Sequence, residues 1–376
     1  MIYFDSAASY PVLPEALDML LIQSKTSYAN PSSDHALGRS AAKKIDEVRE
    51  QLAELIGALP SEIVFTSGAT ESNNLALKSV LSRQLPRGNK KHIVTSAIEH
   101  KCIIAICNYL RPCGFDITYL VPNVEGIISA EQVMNSLRSD TALVSIQHVN
   151  NELGTVNPIG EIGAACFSKG VLFHSDAAQS LGKVNVDVDE FNVDFMSFSG
   201  HKIGGPKGIG ALYIRDLRTQ PLEPVIHGAG QEYGMRGGTV ASPLIASFGA
   251  ALGLFPRLYD DFKQRGLKQY LLQQLKLKNI PSLLNGNLAA VPHCVSLSFP
   301  NTDIRLVVRE NEDRLCLAQG SACSSKEIEP SHVLTAIGLN KELADKTLRI
   351  SFTLDCTKDH IDVLVAALAL RTTFAA

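Results

Sequence analysis

The sequence holds no long apolar run. Stretches such as Val363 to Leu370 are short and fall well below the 18 or more residues of a membrane span. There is no basic surplus either. Lys and Arg number 35 against 38 Asp and Glu, for a net charge of −3. A general polyanion binder needs a basic surface, so no direct nucleic-acid or membrane binding is expected. The N-terminus, Met1-Ile2-Tyr3-Phe4-Asp5, lacks a basic region of the kind that opens a secretory signal, and a cytoplasmic protein is expected. None of the eight cysteines is paired at C-x-x-C spacing, so no zinc or thioredoxin-type site is expected and most thiols read as small buried hydrophobes. No G-x-G-x-x-G run with a following acidic residue stands after an early strand, which removes dinucleotide chemistry. Internal repeats and low-complexity tracts are missing as well.

What is present is a recurrence of strand, turn and helix over 376 residues, with 45% apolar and 19% charged residues. Short runs rich in β-branched residues predict strands at Ile63–Thr66, His92–Thr95, Ile117–Leu120, Leu143–Ile146, Val171–His174, Asp194–Ser197 and Ala211–Ile214. Helical stretches such as Ala41–Ile56 and Ser129–Leu137 separate several of them. The alternation predicts an α/β sheet covered on both faces, with a ligand off the carboxyl ends of the strands. After Pro256 the pattern changes to a charged helix through Lys278 and then to alternating strands at Cys294–Phe299 and Leu348–Phe352. The expected organisation is a large cofactor-binding domain over 12–255, and a smaller α+β domain from 1–11 and 256–376 that includes a mobile cysteine loop near 319–330.

Three strand ends carry chemistry. Thr66-Ser67-Gly68-Ala69-Thr70-Glu71 opens a helix with small residues, which suits an anion at the helix amides or an ordinary helix cap. Asp176 follows another strand, as a cap or as the holder of a buried cation. Lys202 ends the next strand unit amid Ser199, Gly200 and His201; it is either a solvated lysine or an amine tuned to form a Schiff base. Together the anion turn, the acid and the lysine are the parts of a pyridoxal phosphate site. The 26-residue spacing of Asp176 and Lys202 is about one helix–strand unit and brings both to one sheet edge.

At this level of detail the sequence resembles the cysteine desulfurases of the class V aminotransferase group, of the bacterial iron–sulfur and nitrogen-fixation type. The motifs that carry the resemblance are Tyr3–Ala8, Asn30–His35, Thr66–Asn74, Glu99-His100-Lys101, His148–Glu152, Asp176–Ser180, Ser197–Gly210, Gly234–Thr239, Gly320–Ser325 and Leu348–Ser351. The resemblance implies the type I fold of pyridoxal-phosphate-dependent transferases, with a large seven-stranded mixed sheet. It implies that Lys202 holds pyridoxal 5'-phosphate as an imine, that Asp176 pairs with the ring nitrogen, and that Gln179 lies near the ring hydroxyl. His100 would stack on the ring and move protons. Ala69, Thr70, Ser199 and His201 would bind the phosphate, and Thr239 would reach the phosphate of the other subunit of a homodimer. Asn151, Arg349 and Asn30 would hold the carboxylate of L-cysteine. Cys323 would take the sulfur as a persulfide and pass it to an acceptor protein, for iron–sulfur clusters, tRNA thiolation or DNA phosphorothioation. A selenocysteine lyase or another class V enzyme is the alternative. One departure stands near Arg349: Thr353-Leu354-Asp355-Cys356 replaces the glycine and arginine of many relatives.

Overall fold

A computed structural model describes residues 1–84, 90–219, 222–319 and 330–373. Cys323 and the rest of the Gly320–Ser325 motif lie outside the described residues.

The sheet strands form where the sequence predicts, within two residues at each end. They are, after a short β1 (Ile2–Tyr3), β2 (Ile63–Thr66), β3 (His92–Ser96), β4 (Asp116–Leu120), β5 (Thr141–Ser145), β6 (Leu172–Asp176), β7 (Phe195–Ser199) and β8 (Gly210–Ile214). β2 to β8 make one seven-stranded sheet in the order β2-β8-β7-β6-β5-β3-β4. Pairings among β3 to β7 are parallel, while β8 runs antiparallel to both β7 and β2. β2 therefore points the same way as β7, and the carboxyl ends of six strands share one edge. The sheet is the mixed seven-stranded one expected, with a single reversed strand.

Helices cover both faces. They are α1 (Pro14–Thr26), α2 (Ala36–Ile56), α3 (Ala69–Gln84), α4 (Lys101–Leu110), α5 (Ala130–Ser136), α6 (Ile159–Ser168) and α7 (Ser242–Leu258). Successive strand residues point to opposite faces. Ile63, Phe65, Met196, Phe198, Ala211 and Tyr213 join a core with Val48, Leu52, Ile162 and Phe248. Val64, Phe195, Leu212 and Ile214 join the opposite core with Leu75, Ile103 and Ile106. Burial on both faces is why these strands read as continuous apolar runs rather than alternating ones. α2 stops at Gly57, whose φ of 71° is the left-handed end that glycine adopts without strain.

The remainder builds a second layer: α8 (Asp261–Leu277), β9 (Leu283–Asn285), β10 (Cys294–Ser298), α9 (Ile304–Glu310), β11 (Leu315–Cys316), β12 (Ala318–Gln319), α10 (His332–Ala336), α11 (Lys341–Asp345), β13 (Thr347–Ser351) and α12 (Lys358–Ala369). An antiparallel sheet in the order β12-β13-β10-β9 lies here, while β1 pairs with β11. Its core joins Phe4, Leu271, Leu297, Ile350, Phe352, Cys356 and Leu364. Cys356, in the segment that departs from many relatives, is thus a buried core residue. Gln319, expected in a loop, is the last residue of β12 and pairs with Leu348. α7 runs through Pro256, the residue that in the sequence marks the change of pattern. All seven described cysteines are free thiols, and Cys107, Cys166, Cys294 and Cys356 are buried.

Candidate active site

The shared carboxyl edge of the sheet gathers the predicted residues. Asp176 is the last residue of β6 and is 7% exposed. Its Oδ1 accepts from the Ala178 amide at 2.9 Å and its Oδ2 from Asn73 Nδ2 at 2.7 Å. Ser199 ends β7, buried, and a 3-10 turn over Gly200–Lys202 follows. Lys202 Nζ donates to the carbonyls of Ala7 at 2.6 Å and Ala8 at 2.8 Å. Gln179 Nε2 donates to the same Ala7 carbonyl at 2.7 Å. Lys202 and Gln179 therefore meet at one atom. His201 Nδ1 lies 3.2 Å from Ser9 Oγ.

Behind β2, the turn into α3 places Ala69 and Thr70 at a helix N-terminus. The turn packs closely against β8, because a Cβ on Gly210 would fall 2.6 Å from Gly68 Cα. His100 caps α4 by accepting from the Cys102 amide at Nδ1, 3.2 Å away. Arg349, on β13, reaches across from the second layer. Its Nη1 donates to the Asn151 carbonyl at 2.9 Å and its Nη2 to Asp5 Oδ1 at 2.6 Å. Two predicted residues are exposed and have no hydrogen bond to the cluster among the described residues. Asn30 is exposed and uses its side chain in a local turn with the Ser32 amide. Thr239 is exposed, and among the described residues no hydrogen bond joins it to the cluster.

Burial sets the electrostatics. It is the largest cause that pushes Lys202 down from 10.5 to about 8, with the Arg349 charge adding and Asp176 and Asp5 opposing. His201 falls to about 4 through burial and the nearby lysines. His100 is also lowered, chiefly by burial, against Asp176. Under Asp176, His174 is pushed to about 4 by complete burial, between Ser145 Oγ at 2.9 Å and Ser197 Oγ at 3.1 Å. Lys183, buried and with no hydrogen-bond partner among the described residues, is pushed to about 7.

Five contributors had no role in the sequence reading: Ala7, Ala8, Asp5, Asn73 and Cys102. The carbonyls of Ala7 and Ala8 receive Lys202, yet backbone acceptors leave no trace in side-chain identity. Asp5 anchors Arg349, Asn73 holds Asp176, and Cys102 lies 3.0 Å from His100 Nδ1. The Tyr3–Ala8 and Thr66–Asn74 motifs were the available signal for all but Cys102.

Residues 2–364 match the family model Aminotransferase class-V. The chain belongs to the class-V aminotransferase family, in its cysteine desulfurase branch. It is 43% identical over 376 residues to the mitochondrial cysteine desulfurase of Arthroderma benhamiae, covering 99% of this chain and 75% of that protein. Among solved structures, SspA in complex with cysteine is similar at 45% identity with a TM-score of 0.85, covering 94% of this chain and 99% of that one. A NifS-like protein is similar at 32% identity with a TM-score of 0.89, covering 98% of each chain. The cysteine desulfurases depend on pyridoxal phosphate, and so does this chain.

The residues present fit that group. A carboxylate fixed by two donors lies within electrostatic reach of a lysine whose amine rests on two carbonyls, and Gln179 Oε1 is buried with no partner among the described residues. The α3 N-terminus with Thr70 offers amides to a phosphate. The cytoplasmic expectation is corrected here. Several similar desulfurases are named mitochondrial or mitosomal, so the similarity gives a cytoplasmic assignment no support. Net charge and the lack of apolar runs describe a folded body and carry no compartment address.

Proposed function

We propose that the protein takes sulfur from L-cysteine, releases L-alanine, and carries the sulfur as a persulfide on Cys323 to an acceptor protein. The observation that supports this most is the meeting of Lys202 and Gln179 on the Ala7 carbonyl, with Arg349 closing on Asp5 two residues earlier. One short segment thereby sets side by side an amine, a ring-side amide and a guanidinium suited to a carboxylate.

The roles proposed here are those that the resemblance implies. Bound pyridoxal phosphate supplies an electron sink for the substrate's Cα–H electrons. Asp176 stabilises a proton on the ring nitrogen, because a fixed carboxylate favours the cation beside it. Lys202 would anchor the cofactor, and its amine, lowered to about 8, is suited to take the Cα proton. Ala69, Thr70, Ser199 and His201 hold the phosphate, and Gln179 the ring hydroxyl. His100 stacks on the ring. Arg349 and Asn151, with Asn30, orient the substrate carboxylate; a planar guanidinium binds a carboxylate in bidentate fashion. The Cys323 thiolate attacks the substrate sulfur, forming an S–S bond as the Cβ–S bond breaks. The bond's electrons stay with the carbon, and protonation there yields alanine. L-cysteine and one thiol thus give alanine and one persulfide, with no external oxidant.

A homodimer completes the reading. Thr239 is exposed, which suits a contact with the partner's phosphate. The preceding loop is anchored: Glu232 pairs with Arg49 at 2.8 Å, both buried. The units are a cofactor-binding one over 12–255 and a smaller one from 1–11 and 256–376 with the cysteine loop, the first dozen residues touching both. Mass spectrometry after exposure to L-cysteine tests the sulfur step. One added sulfur atom on the Cys323 peptide is expected, and unchanged persulfide formation in Cys323→Ala would overturn it.

A further inference from the structure

Asp176 has a neighbour that the proposed mechanism leaves idle. Asn73 lies one turn beyond Thr70 on α3, fully buried. Its Nδ2 donates one hydrogen to Asp176 Oδ2 at 2.7 Å and the other to Cys102 Sγ at 3.3 Å. Positions three apart share a helix face, so one helix presents Thr70 toward the phosphate end and Asn73 toward the acid. The amide has only one workable orientation. Reversed, it would set Oδ1 against the carboxylate and leave the thiol without its donor. Cys102 is itself held against His100 Nδ1 at 3.0 Å, and that nitrogen accepts the Cys102 amide. The sulfur thus sits between His100 and Asn73 and accepts from the Asn73 amide.

We propose that Asn73 is a positioning residue: it fixes the Asp176 carboxylate in the plane needed to hold the cofactor's ring nitrogen, and the Cys102 thiol locks its amide in that orientation. The proposal rests on the functional reading above and adds to it the side chain that acts through Asp176. Without Asn73, Asp176 keeps only the Ala178 amide and can turn about its Cβ–Cγ bond. The other groups facing Asp176 are Lys202, His174, His100, Glu99 and Cys102. Among the described residues none of them donates a hydrogen bond to its oxygens, so none substitutes for Asn73.

The test is equilibrium binding of pyridoxal phosphate to the apo-protein across about pH 5 to 9, with the thermal midpoint of each apo-variant as a folding control. Asn73→Ala should retain the cofactor about tenfold more weakly, the size of one hydrogen bond to a charged group. Asn73→Asp keeps the shape and serves if the alanine variant does not fold. The introduced acid can donate to Asp176 only while protonated, so its affinity relative to wild type should improve as pH falls. Like charges should spoil it at high pH. Cys102→Ala should weaken binding less than Asn73→Ala does. Wild-type affinity in a folded Asn73→Ala protein, or a pH-independent ratio for Asn73→Asp, would overturn the proposal. If wild type itself does not retain the cofactor, the functional reading fails instead.

Discussion

Lys202 should capture its cofactor at a pH where an ordinary lysine is inert. Only the neutral amine attacks an aldehyde. With Lys202 lowered to about 8, about one amine in ten is neutral at pH 7. An unperturbed lysine near 10.5 would offer about one in three thousand, a difference of roughly 300-fold. The assay is stopped-flow absorbance as apo-protein meets pyridoxal phosphate, from about pH 6 to 10, divided by the rate for a free lysine derivative so that the aldehyde's own ionisation cancels. The ratio should rise as pH drops and the protein curve should level off above about pH 8 to 9. The signs of the neighbours give a second check. Arg349 repels a charged Lys202, so Arg349→Gln should move the midpoint up; Asp176 attracts it, so Asp176→Asn should move the midpoint down. Lys202→Ala supplies the baseline. A midpoint above about 10, or opposite signs in the two variants, would refute the argument that burial and the Arg349 charge tune this amine.

Other consequences can be measured separately. Arg49 is buried between Glu232, the Ile63 carbonyl at 2.6 Å and the rings of Phe65 and Tyr233, and Glu232 also accepts from the Phe65 amide at 2.7 Å. Arg49→Ala should cost about 3 to 5 kcal/mol in denaturant unfolding, because it strands a buried carboxylate; a loss below about 1 kcal/mol would be that of an exposed pair. Glu99 is fully buried and pushed up to about 8, mainly by desolvation. Between about pH 4.5 and 8 the folded state keeps a proton that the unfolded state releases, so stability falls as pH rises, by up to about 1.4 kcal/mol per pH unit. Glu99→Gln should remove that slope and be the more stable protein at pH 8. Asp176→Asn should cut alanine formation by at least about a hundredfold, because the neutral amide no longer holds the ring nitrogen protonated; activity within tenfold of wild type would count against its role.

Much of the fold was legible because the strands are buried on both faces. Ile63–Thr66 forms over the same four residues in sequence and structure, and the others shift by one or two. The ends of these strands disclosed Asp176, Ser199 and Lys202, since polar residues after apolar runs must lie at the sheet's edge. What stayed hidden depends on backbone atoms or on contacts far apart in sequence. The Ala7 carbonyl receives both Lys202 and Gln179, but nothing about an alanine announces that. Asp5 and Arg349 meet across 344 positions. Asn73 reads as an ordinary helix residue until Asp176 is beside it. β12 is two residues long and paired only with β13, too short to give a periodic signal, so Gln319 looked like loop. Asn30 and Thr239 were drawn toward the site by resemblance alone; within this single chain both are exposed, and among the described residues no hydrogen bond ties either to the cluster.

The central claim is that this pocket removes sulfur from L-cysteine through Cys323. The most direct measurement is alanine released from L-cysteine by the purified, cofactor-loaded protein with a reductant, wild type beside Cys323→Ala. Sustained release by wild type, with none above background in the variant, is the predicted result. Equal release from both, or none from wild type, would contradict the account.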